Sequence, residues 1–345
     1  QYLERARDPD FLALKYRRSM RRAVSHAHAP QTAERASFLR FGAKSRGYKT
    51  PLFEKYRQAH FAREALYELP FTVAEGLAHK FGVPRATFLR RIEPRLTPGE
   101  RLRLQGASAE ALGRAYDVDP AALPLTKLAA YALSLPPAER ARRAAELDAW
   151  LGASARRAVR RAGAAFGRVA CVLDRSYSSS GSSEKRRRPL ALAVALSRFL
   201  REASAEYRPF WTAPTDDELF VTPFGATDLA TPLLDALAWG PDLVVIVSDG
   251  YENDPPGAAG EIVRVARARL GAPPVVHLNP VFDAQTFAPK ALGAALPTVG
   301  VRDVDEVPML LTLGLFASGG ASLAELEGHF EARARAFLEG GRPAD

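Results

Sequence analysis

Asp174, Ser176 and Ser178 put one carboxylate and two hydroxyls on alternating residues directly after the apolar run Val169-Ala170-Cys171-Val172-Leu173. A run of that kind reads as a strand buried on both faces, as in a parallel sheet. The three oxygen-bearing side chains then lie on the loop at its carboxyl end, where open α/β sheets hold their ligands. A second apolar run, Leu243 to Val247, also leads to an aspartate, in Ser248-Asp249-Gly250. Between them, Gly225-Ala226-Thr227-Asp228 offers a further hydroxyl ahead of a helix-like segment, Leu229 to Leu237. Two carboxylates, three hydroxyls and water form an all-oxygen, near-octahedral shell that suits Mg²⁺ or Mn²⁺ better than zinc. The plain alternative is that these are capping and loop residues; three elements at the ends of the right strands favour the cation.

Asp-x-Ser-x-Ser, a distant Thr and a distant Asp resemble the metal-ion-dependent adhesion site of the von Willebrand factor A family. Asp174, Ser176, Ser178, Thr227 and Asp249 match it in order. The resemblance covers the second half of the chain. It implies a doubly wound, Rossmann-like domain and a bound Mg²⁺ or Mn²⁺ whose open position takes an acidic side chain of a partner protein, or a phosphate.

The elements needed to position these residues are legible. Beyond the first strand, the patterning predicts strands at Tyr207 to Thr212, Glu218 to Thr222, Leu243 to Ser248, Pro274 to Leu278 and Thr298 to Val301, alternating with helices in βαβ units. After the serine loop, Ser178 to Ser183, comes the basic run Glu184-Lys185-Arg186-Arg187-Arg188, read mainly as a solvated helix start. Pro189 then opens a helix through Phe199. Val307 to Phe316 closes the domain, and Leu323, Leu326, Phe330 and Phe337 form a stripe expected to dock on its body.

The first half has a different texture. Asp8 or Asp10 can cap a helix bearing Phe11, Leu12, Leu14, Tyr16 and Met20, and residues 29–50 read as irregular. Short helices follow at Ala59 to Leu69, Val73 to Phe81, Arg85 to Ile92, Pro98 to Leu104, Ala109 to Tyr116 and Leu125 to Leu133. Two longer ones follow, Pro136 to Trp150 and Ala153 to Phe166. No strand signal interrupts them, which fits an α-helical, HEAT-like repeat domain. The expected organisation is a helical domain over 1–167, a von Willebrand A domain over 168–320 and a docking helix over 321–345.

Charge separates the halves. Residues 1–168 carry 32 Lys and Arg against 16 Asp and Glu, and the remainder carries 16 against 23, within a net charge of +9. Such asymmetry points the first half toward a polyanion. The candidate polyanion contacts are Lys15, Arg17, Arg18, Arg21, Arg22, Arg40, Lys44, Arg46, Lys49, Arg156, Arg157 and Arg160.

Glu68-Leu69-Pro70-Phe71-Thr72, with Asp119-Pro120 and Pro124 to Ala129 further on, resembles the helical-repeat (TROVE) module of the Ro ribonucleoprotein family. In that family a helical ring leads into a von Willebrand A domain, as here. About half the length of a full ring precedes Asp174, so an open arc is as consistent as a closed ring. Phe287, Ala288, Leu292, Gly293 and Pro297 before Gly300-Val301-Arg302-Asp303 also resemble the Ro-like region. The resemblance implies a small non-coding RNA as partner.

The chain shows no nucleophile elbow, no phosphate-binding Gly-rich loop with lysine and no cysteine–histidine pair, so a non-catalytic protein is expected. The single cysteine, Cys171, sits inside the buried run and permits no internal disulfide, which points to a reducing, cytoplasmic setting. No apolar run is long enough to span a bilayer, so no membrane is expected as partner. Gln1 in place of an initiator Met leads to the expectation of a trimmed amino terminus. Two functions from different classes remain: a Ro-like RNA-binding scaffold, or a bacterial adaptor that docks an AAA+ ATPase of the MoxR or chelatase type without RNA.

Overall fold

The computed structural model describes residues 8–181, 187–281 and 288–338. The chain divides into two compact units, Gln1–Val118 and Asp119–Asp345.

The first unit is helical: α1 (Pro9–Lys15), α2 (Arg17–Ala27), α3 (Ala33–Phe41), α4 (Pro51–Gln58), α5 (Phe71–Lys80), α6 (Arg85–Ile92), α7 (Pro98–Arg103) and α8 (Gln105–Leu112). Asp8 caps α1 through the Phe11 N–H at 2.8 Å. The helix expected to run on past Tyr16 is interrupted there, and α2 begins at Arg17. The stretch read as irregular contains α3, capped by Thr32. Ala59 to Leu69, expected as α-helix, instead starts at the C-cap of α4 and holds a 3₁₀ segment, Arg63–Glu68. One core gathers these pieces. Phe38 and Phe53 stack at 4.0 Å between centroids, and Leu66, Phe88, Leu89, Ile92 and Tyr116 join the same cluster. Each such side chain taken out of water contributes about 1.5–3 kcal/mol, which lets helices too short to persist alone hold their form.

The second unit begins with α9 (Leu125–Ser134), α10 (Pro137–Arg142) and α11 (Ala144–Ala162). It continues β1 (Phe166–Leu173), α12 (Arg188–Ala203), β2 (Ser204–Trp211), α13 (Ala230–Ala238), β3 (Leu243–Val247), α14 (Ala258–Leu270), β4 (Val275–Asn279), β5 (Thr298–Gly300), α15 (Val307–Ala317) and α16 (Leu323–Leu338). The five strands form one parallel sheet in the order β2-β1-β3-β4-β5. Ala170, Val172, Val244 and Ile246 face α13 and α14, while α12 lies against β1 and β2 and α15 against β4 and β5. A sheet covered on both faces explains why β1 and β3 read as unbroken apolar runs.

Three expectations are corrected here. The boundary expected at 167/168 falls at 118/119, because α9 and α11 pack on α12. Leu147, Leu151, Ala155 and Ala158 give α11 a buried face at helical spacing, and Asp148 pairs with Arg198 at 2.5 Å. That face also carries α11 straight through Gly152, whose cost of about 1 kcal/mol in a helix is outweighed by the burial. The strand expected at Glu218 to Thr222 is a 3₁₀ turn, Glu218–Phe220. The Leu219 carbonyl accepts from the buried Arg140 guanidinium at 2.8 Å. Glu218 is drawn inward to Arg201 at 3.0 Å and Arg198 at 3.1 Å. Finally, among the described side chains of the α16 stripe, Leu326 is buried while Leu323 and Phe330 are exposed. Lys185 and Arg186 of the basic run, and Phe287, lie outside the described residues, as does the side chain of Phe337.

Candidate metal centre

The sheet order reverses direction between β1 and β3, the crevice where doubly wound sheets bind ligands. Leu173 of β1 is in register with Val247 of β3, and the Asp174 N–H continues the ladder to the Val247 carbonyl at 3.0 Å. Asp174 and Asp249 therefore leave the ends of adjacent strands side by side. Each is turned by the same local device. Asp174 Oδ1 accepts the Ser176 N–H at 2.7 Å and Asp249 Oδ1 accepts the Tyr251 N–H at 3.0 Å. An ionised carboxylate has about four acceptor positions, so one hydrogen bond orients each group without exhausting it.

The hydroxyls gather on the same loops. Ser176 Oγ lies 2.9 Å from Ser178 Oγ, and Ser179 ties the turn through the Ser176 carbonyl at 2.7 Å. Thr227 is clamped by the loop after Asp249: its N–H donates to Asn253 Oδ1 at 2.9 Å, and its carbonyl accepts from the N–H groups of Asn253 and Asp254. The loops are further joined by Tyr177 N–H to the Gly225 carbonyl and Phe224 N–H to the Arg175 carbonyl. Asp174, Ser176, Thr227 and Asp249 are only 4, 1, 3 and 8% exposed, whereas Ser178 is open to solvent.

Burial, and secondarily the neighbouring Asp249 charge, pushes the Asp174 carboxyl up to about 6. Two adjacent buried carboxylates repel one another, and a cation between them would relieve that cost. Among the described residues no cluster of three or more His, Cys, Asp or Glu forms, so the available donors are two carboxylates and hydroxyls. That set fits a hard divalent cation and lacks the nitrogen and sulfur ligands of zinc.

Other polar groups support the site from behind, and no sequence motif marks them. Arg175 donates to the Thr222 carbonyl at 3.1 Å and the Pro214 carbonyl at 3.0 Å, bracing the Thr227 loop. His277 of β4 lies 3.0 Å from the Ser248 carbonyl and 3.0 Å from Thr298 Oγ1. Burial holds its ring down at about 4, hence neutral near pH 7. Gly250 (φ +79°) lets the Lys290 carbonyl come so close that a Cβ would meet it at 2.3 Å. The Cys171 thiol is fully buried and pushed above its ordinary range, which keeps it protonated and unreactive.

The candidate RNA contacts do not share one fate. Lys15, Arg18, Arg21, Arg22, Arg40, Lys44, Arg46 and Lys49 are exposed on the first unit. Arg17 is turned inward: it donates to the Phe38 carbonyl at 3.0 Å and the Arg40 carbonyl at 3.2 Å, closing the end of α3. Arg156, Arg157 and Arg160 belong to the second unit. There Arg156 pairs with Glu202 at 3.5 Å and Arg157 donates to the Leu123 carbonyl at 2.8 Å, while Arg160 is exposed. Among the described residues, no helix is long and apolar enough to cross a membrane.

The fold and site together define a helical unit followed by a doubly wound α/β unit with a hydroxyl-rich acidic centre at its switch point. No protein-family model matches the sequence, and no curated protein matches it. Among solved structures, the chain is similar to the crystal structure of Deinococcus radiodurans RO (RSR) protein. The two share 16% identity over 93% of this chain and 75% of that one, with a TM-score of 0.46.

Proposed function

We propose that this protein is a non-catalytic, Ro-like RNA-binding scaffold. Its basic helical unit holds a small non-coding RNA, and its α/β unit docks an acidic protein partner through a divalent cation, in the manner of a von Willebrand A domain. The observation that carries the docking reading is the pair Asp174 and Asp249, buried side by side at the β1/β3 switch point with hydroxyls on the same loops. Asp174 and Asp249 would hold Mg²⁺ or Mn²⁺, with Ser176, Ser178 and Thr227 completing the protein's share of the shell. The cation, when bound, supplies an open coordination position for an acidic oxygen. The protein's own loops orient the donors and keep water from the buried side.

The RNA reading rests on charge. The unit Gln1–Val118 carries 23 Lys and Arg against 12 Asp and Glu, and the exposed cations of α2 and of the segment after α3 concentrate it. Phosphate contacts of this kind bind RNA with a steep salt dependence. The experiment is purification from the native host in low salt with Mg²⁺, followed by sequencing of any bound RNA. A defined small RNA that leaves as salt rises supports the scaffold. Nucleic-acid-free protein with a co-purifying ATPase would sink it in favour of the adaptor function.

A further inference from the structure

Three large aromatic rings stand in solvent around the acidic centre, and each belongs to a loop that supplies a donor. Tyr177 lies between Ser176 and Ser178, Phe224 three residues before Thr227, and Tyr251 two residues after Asp249. They are 66, 58 and 57% exposed. Hydrogen bonds join the loops that carry the first two, Tyr177 N–H to the Gly225 carbonyl at 3.2 Å and Phe224 N–H to the Arg175 carbonyl at 2.7 Å. Tyr251 is fixed by its own N–H on Asp249. Exposed rings are common singly, but three on the rim of one polar centre form an apolar collar.

Two rings carry a cation. Lys290 Nζ lies 3.4 Å from the Tyr251 ring centroid, and the Arg175 guanidinium lies 5.9 Å from that of Phe224. The close approach of Lys290 depends on Gly250, whose missing side chain admits the Lys290 backbone. The collar is therefore built, with aromatic faces backed by positive charge.

We propose that this collar selects the partner: it takes a protein segment bearing one carboxylate flanked by apolar or aromatic side chains. This rests on the cation reading above and names what occupies the open position. The flanking residues would lie on Tyr177, Phe224 and Tyr251 while the carboxylate reaches the cation. Charge argues against a nucleic-acid strand in the same place. Asp228, Glu252 and Asp254 stand on the same loops, and their carboxylates repel a run of phosphates far more than a single carboxylate.

The test uses the full chain and a synthetic peptide library with a fixed central Glu and randomised flanks, selected in Mg²⁺. The expected result is enrichment of Leu, Phe, Tyr or Trp beside the Glu, with binding lost in EDTA. Phe224→Ala and Tyr251→Ala should each weaken an enriched peptide about five- to tenfold while leaving Mn²⁺ binding, followed by its electron paramagnetic resonance signal, unchanged. Enrichment of polar flanks, or peptide binding indifferent to both variants, would overturn the collar while leaving the cation site standing. Displacement of the peptide by single-stranded oligouridylate at equal concentration would overturn it in favour of RNA. No Mn²⁺ binding by the unaltered chain would overturn the cation reading itself, and the collar with it.

Discussion

Asp174 and Asp249 are held by matching turns at the ends of neighbouring parallel strands, each Oδ1 accepting the backbone N–H two residues ahead at 2.7 and 3.0 Å. Two strands in register thus deliver two carboxylates of defined direction to one crevice, buried and close enough for one charge to raise the other's affinity for a proton. Without a cation this arrangement stores repulsion. Asp174→Asn should stabilise the metal-free protein by about 1–2 kcal/mol by removing a buried, uncompensated charge. It should also abolish the rise in melting temperature that Mg²⁺ gives the unaltered protein. Thermal melts with Mg²⁺ and with EDTA check both; a variant that still responds to Mg²⁺ refutes the assignment of Asp174.

Gly250 couples the same centre to its rim. Alanine there has to accommodate φ +79° and a contact of 2.3 Å with the Lys290 carbonyl. Gly271, at φ +58°, has nothing within 4 Å of its missing Cβ. Gly271→Ala should cost about 1 kcal/mol for the left-handed backbone alone. Gly250→Ala should cost about 2 kcal/mol or more and weaken Mg²⁺ binding as well. Urea unfolding and calorimetric titration separate the two effects.

His277 makes stability depend on acid. Its folded state is held at about 4 by burial, below the usual value of about 6.5. The unfolded chain therefore binds a proton that the folded chain refuses between those limits. This contribution is complete above about pH 6.5 and shrinks as the pH falls toward 4. It should amount to a loss of about 2 kcal/mol between pH 7 and pH 5. In His277→Gln the fall over that interval should be smaller by the same amount, measured by denaturant unfolding at the two pH values.

Arg17 and its neighbours on α2 should part company under mutation. Reversing Arg18, Arg21 and Arg22 to Glu leaves folding nearly unchanged, weakens RNA binding, and flattens the salt slope by about 2 units if each meets one phosphate of a single strand. Arg17→Ala instead frees the Phe38 and Arg40 carbonyls that its guanidinium satisfies. That should cost about 1–3 kcal/mol of stability. Filter binding across a salt series, with melts of each variant, distinguishes the roles.

What the chain alone determined is local and periodic. Continuous apolar runs announced β1 and β3, because a strand covered on both faces has no polar side to show, whereas β4 carries His277 between Val276 and Leu278. The oxygen-bearing residues at the ends of the first two named the crevice. Apolar spacing and the Pro and Gly residues that break it placed α5, α6 and α9 within a few residues of their observed limits. Where packing outweighs propensity, only the tertiary structure decided. Gly152 is harmless because Leu147 and Leu151 before it and Ala155 after it are buried on one face. Glu218 to Thr222 reads as a strand through its apolar Leu219, Phe220 and Val221, but Arg140 takes the Leu219 carbonyl that a neighbouring strand would have used. The boundary between units lies ahead of α9 because helices look alike in sequence whether they pack on helices or on a sheet. Lys290 reaches Tyr251 across thirty-nine residues of chain, a distance no local pattern records, because a glycine leaves room for its backbone.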